Sequence, residues 1–375
     1  MMKTVSVELQ PCLGNRSGIG TYAYELGRRL RDTGEIRYQG NVFNFLGRRD
    51  NSAELAGITM DIREQHAIPY SGFRFMQHAV PVPYSMLFGR SDLNLFFNYI
   101  VPAGTGGKVI TTIHDMAYIR CPETLRRRNL LRLRSGMKDT LKRADRILTI
   151  SGFSKKEITE LLDVPPERIE VIGCAAPDMA EPAPFAGVSR KFGIDTPYIL
   201  FVGTIEPRKN LSRLLEAFDC FRDRYGTDHS LVLAGGKGWR NEEIFGTLGS
   251  LKHREDVIVT GFVSPEEKAA LYGNAELLCF PSLYEGFGIP PLEAMRYGCP
   301  VVCSDRASLP EIAGDAARYV RADDVEDIAE GMWKVIGDAE ERRMLIEKGF
   351  ARPERFSWDR SAEKLKKVCK EVLDE

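Results

Sequence analysis

Two glutamates separated by seven residues, Glu285 and Glu293, lie in the stretch Phe280-Pro-Ser-Leu-Tyr-Glu-Gly-Phe-Gly-Ile-Pro-Pro-Leu-Glu-Ala-Met295. An apolar run, 275–280, stops there, a loop with Gly286 and Gly288 follows, and a helix is expected to open at Pro290 or Pro291. Proline suits a first helical turn because its missing N–H leaves nothing unpaired. Strand, glycine loop and helix start together make an anion site, since free N–H groups and the positive end of the helix dipole point at one spot. A grip for phosphate alone would not want two carboxylates. Ionised carboxylates only accept hydrogen bonds and suit sugar hydroxyls. A ligand carrying both phosphates and hydroxyls, as a sugar nucleotide does, would use both kinds of group. Arg208 and Lys209 follow another apolar run, 198–202, before a helix start. A planar fork beside a mobile point charge suits a diphosphate. His114 and Asp115 end the β-branched stretch that begins at Lys108, and ligands of open parallel sheets gather at the carboxyl ends of strands.

The elements that must position these groups alternate strand and helix along the chain. Strands are expected at 5–9, 42–45, 93–97, 108–115, 147–150, 169–172, 198–203, 231–234, 257–261, 275–280 and 300–303. Helices are expected at 214–218, after a Ser264 cap, and over 325–336, 339–347 and 362–373. Two doubly wound α/β halves follow from that alternation. Gly18-Ile-Gly20-Thr-Tyr-Ala23 reads as a glycine loop before a helix carried by Tyr22, Leu26 and Leu30. It also matches a dinucleotide fingerprint, without a clearly placed acidic residue to close it. Ser154, with Glu157 three residues on, reads as a helix cap. Residues 173–187 break all periodicity and read as linker.

At 375 residues the chain can hold two domains. A net charge of −1 advertises no nucleic-acid partner. Eight scattered cysteines without a C-x-x-C pair favour a reducing cytoplasm over a disulfide framework. The start lacks the apolar core of a signal peptide, and no run is long enough to span a membrane. The stretch 120–146 is locally basic, ten Lys/Arg against three acids, with leucines on one side. It reads first as a packed helix with a solvated basic face and, close behind, as a helix lying on anionic lipid or holding an anionic acceptor.

The spacing of Glu285 and Glu293, the glycines between them and the following Gly298-Cys-Pro-Val-Val302 resemble the donor signature of retaining glycosyltransferases of family 4. The likeness extends over nearly the whole chain and leans toward bacterial polysaccharide mannosyltransferases. It implies a GT-B fold, with two Rossmann-like doubly wound domains facing a central cleft. The acceptor-side domain would be 1–175, the linker 176–196 and the donor domain 197–357, with a closing helix over 358–375 that packs back on the first domain. It implies that Glu285 holds sugar hydroxyls and that His114 contacts the transferred sugar, with Asp115 orienting it or serving the acceptor. The donor side would comprise Gly20, Arg208, Lys209, Phe262, Val263, Gly286, Phe287, Gly288, Ile289 and Glu293. Of these, Arg208 and Lys209 would grip the diphosphate, the backbone near Phe262 and Val263 would meet the base, and Glu293 would hold the ribose hydroxyls. Thr204 stands where many members carry a basic residue.

No D-x-D is present, so no metal and no other cofactor is expected, and Arg208, Lys209 and the helix start would carry the counter-charge. The expected partners are a nucleotide-sugar donor, GDP-mannose foremost and UDP-glucose as the alternative, and a glycan or lipid-linked acceptor. Peripheral contact with the inner face of the membrane would run through 120–146. A nucleotide-dependent oxidoreductase built on Gly18-x-Gly20 and a binder without activity are the competing classes. The first leaves the two glutamates unexplained, and the second leaves the full set of polar residues without a purpose. Glu285→Ala and Lys209→Ala are expected to cut turnover and leave the fold intact.

Overall fold

A computed structural model describes residues 2–14, 18–79 and 82–375. The chain divides into two compact units. The first runs to Met116, resumes over Arg128–Cys174 and closes with Trp358–Glu375; the second comprises Ala117–Arg127 and Ala175–Ser357.

The first unit is built on seven parallel strands: β1 (Lys3–Glu8), β2 (Ile36–Phe43), β3 (Asp61–Gln65), β4 (Leu93–Phe96), β5 (Lys108–Thr112), β6 (Arg146–Thr149) and β7 (Ile169–Val171). Their order is β3-β2-β1-β4-β5-β6-β7. The strand order reverses between β1 and β4, where Glu8 pairs with Phe96 at the carboxyl ends of both strands. Val5, Val7, Leu95 and Ile110 are fully buried, each stabilising the unit by roughly 1.5–3 kcal/mol. From the closing helix, Trp358–Asp374, Trp358 meets the Tyr22 ring at 66° with centroids 6.2 Å apart.

The second unit has six parallel strands: β8 (Tyr198–Val202), β9 (Ser230–Ala234), β10 (Val257–Gly261), β11 (Leu277–Phe280), β12 (Val301–Ser304) and β13 (Ala317–Val320). Their order is β10-β9-β8-β11-β12-β13, reversing between β8 and β11. These central strands are buried along their whole length. Phe201 and Phe280 stack across the switch point at 5.9 Å, 13° from parallel.

Several expectations change. The basic stretch is not one helix. It breaks into a short helix, Ala117–Arg120, a turn at Pro122–Thr124 and the helix Arg127–Arg143. Pro122 has no N–H to continue the first of these. Ser154 is not the cap: Ser151 is, extended at φ −150° and accepting from the Ser154 N–H at 3.0 Å. Gly18 and Gly20 lie in the first turn of the helix Gly18–Gly27 rather than in a loop before it. Residues 15–17 of that stretch lie outside the described residues. A helix, Phe185–Phe192, forms within 176–196. The helix after Gly288 begins at Ile289, one residue before the prolines.

Candidate functional site

In the second unit, β8 ends at Val202 and the chain turns through Pro207–Lys209 into the helix Leu211–Tyr225. Asn210 closes that turn at φ +63°, a region asparagine tolerates. Its amide donates to the carbonyls of Pro281 (3.0 Å) and Ala322 (2.6 Å). The turn is thereby fastened to the loop after β11, and the Leu283 N–H adds a bond to the Arg208 carbonyl at 3.0 Å.

That fastening brings two cations onto one carboxylate. Lys209 Nζ donates to Glu285 Oε1 at 2.6 Å, and Arg208 Nη1 donates to Glu285 Oε2 at 2.8 Å. Arg208 also donates to the Tyr284 carbonyl (2.8 Å) and, through Nη2, to Glu206 (2.9 Å). The Lys209 ammonium stands 4.8 Å from the Phe280 ring centroid. Glu285, Lys209 and Glu206 are buried. Burial alone would raise the Glu285 carboxyl, but the charges of Arg208 and Lys209, and their hydrogen bonds, hold it at about 2. Two carboxylates and two cations thus form one buried, mutually compensated cluster, each charge paid for by a neighbour. Glu285→Ala would leave the buried Lys209 ammonium without its carboxylate and Arg208 with Glu206 alone, so a loss of stability is expected beside the loss of turnover.

The loop between Glu285 and the next helix is set by Ser308. Its N–H donates to the Glu285 carbonyl (3.4 Å) and its hydroxyl donates to the Phe287 carbonyl (2.7 Å). Gly288 caps the helix Ile289–Arg296 at φ +109°, and a Cβ there would stand 2.7 Å from Leu309 Cδ2. Gly286 and Phe287 are buried and Ile289 is half-buried. Pro290 and Pro291 have no N–H, so among the first three helical residues Ile289 alone offers a backbone donor.

Glu293 lies on that helix and is served by a different element. Lys268 Nζ donates to its Oε1 at 2.6 Å and the Tyr272 hydroxyl to its Oε2 at 2.9 Å. Lys268 and Tyr272 sit four residues apart on one face of Pro265–Asn274, whose N-terminus carries a full capping box between Ser264 and Glu267. Burial and the Glu293 carboxylate push the Tyr272 hydroxyl well above its ordinary range, so it stays a donor. Before that helix, Phe262 is 83% exposed while Val263 is buried.

In the first unit His114 follows β5 and is buried. Its Nε2 donates to the Phe97 carbonyl at 2.8 Å, and Tyr22 meets the ring edge-on at 5.0 Å. Burial lowers its pKa. A carbonyl can only accept, so the neutral ring carries its proton on Nε2 and leaves the Nδ1 lone pair to accept. The Phe97 carbonyl fixes the Nε2 side of the ring, and Asp115 accepts from the Tyr99 hydroxyl at 2.9 Å. Ser154 has another use here, donating its hydroxyl to the His114 carbonyl at 3.1 Å. Gly20 is buried in the helix after β1.

The second unit therefore brings together Arg208, Lys209, Glu285, Gly286, Phe287 and Gly288, and places Glu293 in a separate buried cluster. Sequence reasoning missed Glu206, Lys268, Tyr272 and Ser308. Only Lys268 and Tyr272, at helical spacing behind the Ser264 cap, left any one-dimensional signal.

The model of glycosyltransferase family 4 matches residues 16–177, and that of glycosyl transferases group 1 matches residues 188–352. O-antigen chain mannosyltransferase B of Escherichia coli is 29% identical over 360 residues, 92% of this chain and 93% of that protein. The serotype-specific mannosyltransferase WbdA of Escherichia coli is 33% identical over 227 residues, 59% of this chain and 28% of its own length. Among solved structures, sucrose-phosphate synthase from Thermosynechococcus elongatus superposes with a TM-score of 0.75 at 18% identity, covering 99% of both chains. That likeness concerns the fold.

Proposed function

We propose that this chain, a glycosyltransferase of the GT-B fold resembling bacterial polysaccharide mannosyltransferases, moves mannose from GDP-mannose onto a glycan or lipid-linked acceptor with retention of anomeric configuration. The observation that carries this reading is the convergence of Arg208 and Lys209 on Glu285. The carboxylate neutralises both cations. A donor diphosphate supplies the same charge and frees Glu285 to accept from sugar hydroxyls. In the reaction the bond between the anomeric carbon and the phosphate oxygen breaks, and a bond to the acceptor oxygen forms. The acceptor proton passes to the departing phosphate, whose growing charge Arg208 and Lys209 stabilise. This is the task a divalent metal performs at a D-x-D site, so turnover is expected without added metal.

Glu293, held by Lys268 and Tyr272, takes the ribose hydroxyls. The exposed Phe262 and the backbone of Val263 meet the base. His114, neutral and accepting through Nδ1, contacts the transferred sugar, and Gly20, on the acceptor-side unit's first helix, faces the donor. Arg127 and Arg134, exposed on Arg127–Arg143, provide peripheral contact with anionic lipid at the inner membrane face. A thermal-shift panel with GDP, UDP, dTDP, their sugar conjugates and NAD, with and without EDTA, tests the donor. A rise with GDP and GDP-mannose that EDTA leaves unchanged is expected. A rise with UDP alone replaces the nucleotide, and a rise with NAD alone refutes the reading.

A further inference from the structure

The first unit contains a cavity of about 510 Å³ that the donor chemistry does not use, a size within the range of small-ligand pockets. Its inner wall is aromatic. Phe43 packs on Phe73 at 4.9 Å, and Tyr84 on Phe96 at 5.3 Å, so the rings are held in place. Glu8, at the switch point between β1 and β4, lines the same space and is only 7% exposed. Among the described residues no protein group hydrogen-bonds its carboxyl. Burial raises it to about 7 against the pull of Arg132 and Arg74.

The other side is cationic. Arg128, Arg132 and Arg143 come from one face of the helix Arg127–Arg143, and Arg74 comes from Tyr70–Ala79. Two of these are committed: Arg143 to the Val101 carbonyl (2.9 Å) and Asp139, and Arg74 to the face of Tyr70, 5.5 Å from its centroid. Among the described residues the guanidinium groups of Arg128 and Arg132 have neither ion pair nor hydrogen bond. Both add to burial in lowering Arg74, which marks a crowded positive field. Aromatic faces, an unpartnered buried carboxyl and two idle guanidinium groups thus share one cavity.

We propose that this cavity binds a glycosyl phosphate as the acceptor, with its phosphate at Arg128 and Arg132, a hydroxyl at Glu8 and the C–H face of its ring on the aromatic wall. Planar guanidinium groups match phosphate bidentately, and a carboxyl that no protein group satisfies selects a hydroxyl. The proposal rests on the transferase reading above, since it names the acceptor of that reaction. The phosphate could belong to a soluble sugar phosphate or to a lipid-linked one.

Titration calorimetry on the full chain, with GDP saturating so that Arg208 and Lys209 are occupied, tests it. The probes are mannose 1-phosphate, methyl α-mannoside, inorganic phosphate and a prenyl-phosphate mannose in detergent micelles. Mannose 1-phosphate is expected to bind about tenfold or more tightly than methyl α-mannoside or phosphate, and Arg132→Ala is expected to remove that preference. Glu8→Gln should weaken mannose 1-phosphate and leave inorganic phosphate unchanged. Binding of the prenyl-linked probe alone, lost in Arg132→Ala, supports the proposal with lipid as the source. Equal affinity for the charged and neutral mannosides overturns it. So does affinity unchanged by Arg132→Ala and Arg128→Ala, or no binding of either phosphorylated mannose. A GDP thermal shift run on the same samples separates the two readings: its absence in the parent protein refutes the donor site, while the Arg132 dependence still decides the cavity.

Discussion

Replacing Glu285 with glutamine keeps the shape of the side chain and removes the charge that Arg208 and Lys209 share. The cost to the donor-free protein can be worked from the site. Depression of the carboxyl from 4.5 to about 2 corresponds to roughly 3 kcal/mol of folding free energy. The side chains are 9% (Glu285), 20% (Arg208) and 11% (Lys209) exposed, so solvent screening takes little of it. Breaking a buried pair from one side costs roughly 3–5 kcal/mol, and the surviving Glu206–Arg208 contact argues for the low end. Glu285→Gln should therefore lose about 3 kcal/mol in urea unfolding at neutral pH. Because the carboxyl is depressed on folding, this stability is present above pH 4.5 and is lost as pH falls from there toward 2. The stability gap between parent and variant should close across that window. GDP should behave in the opposite sense. The diphosphate no longer competes with a carboxylate for the two cations, so affinity should rise, by up to roughly a hundredfold if displacement is complete, while turnover falls. Weaker or unchanged GDP binding in calorimetry would refute the idea that the donor opens this cluster.

Tyr272→Phe removes one of the two bonds on Glu293; if Glu293 holds the ribose, KM for the donor should rise about three- to tenfold with kcat nearly constant. Steady-state kinetics with a 2′,3′-dideoxyribose donor should then show little difference between variant and parent. Gly288→Ala places a Cβ 2.7 Å from Leu309 Cδ2 at φ +109°, which should cost about 1–3 kcal/mol in denaturant unfolding. Ser151→Ala deletes the cap that accepts from Ser154 N–H and should lower stability by about 1 kcal/mol, or roughly 2–4 °C in calorimetric Tm.

Much of this was legible because the signals are local. Two-sided burial makes the central strands read as continuous apolar runs, as in Tyr198–Val202 and Leu277–Phe280. The glycines around Glu285 and the adjacent Arg208 and Lys209 are visible in the same way. The edge strand β3, Asp-Ile-Arg-Glu-Gln, was invisible because an edge carries charge against unwanted pairing. Ser151 and Ser154 competed for one cap, and glutamate at the fourth position favoured the wrong one; Ser151 precedes Gly152, which starts the helix. Lys268, Tyr272 and Glu206 were hidden for another reason. The helical spacing of Lys268 and Tyr272 shows in the sequence, but their partner Glu293 does not, and Glu206 gains its meaning only when Arg208 is turned onto it and Glu285 together.

Glu8 shows the same limit most clearly. In the sequence it is one polar residue of the alternating strand expected over 5–9, and nothing within β1 marks it as buried. Its environment comes from β4, inserted on one side 85 residues later, and from the Arg127–Arg143 helix beyond that. The chain after β4 also links the cavity to the histidine. Phe96, Asn98 and Ile100 line the cavity, whereas the Phe97 carbonyl holds His114 and Tyr99 holds Asp115. One short segment thus presents alternate residues to two polar sites. Asn98, which lines the cavity, is therefore the chain neighbour of the residue whose carbonyl fixes the His114 tautomer.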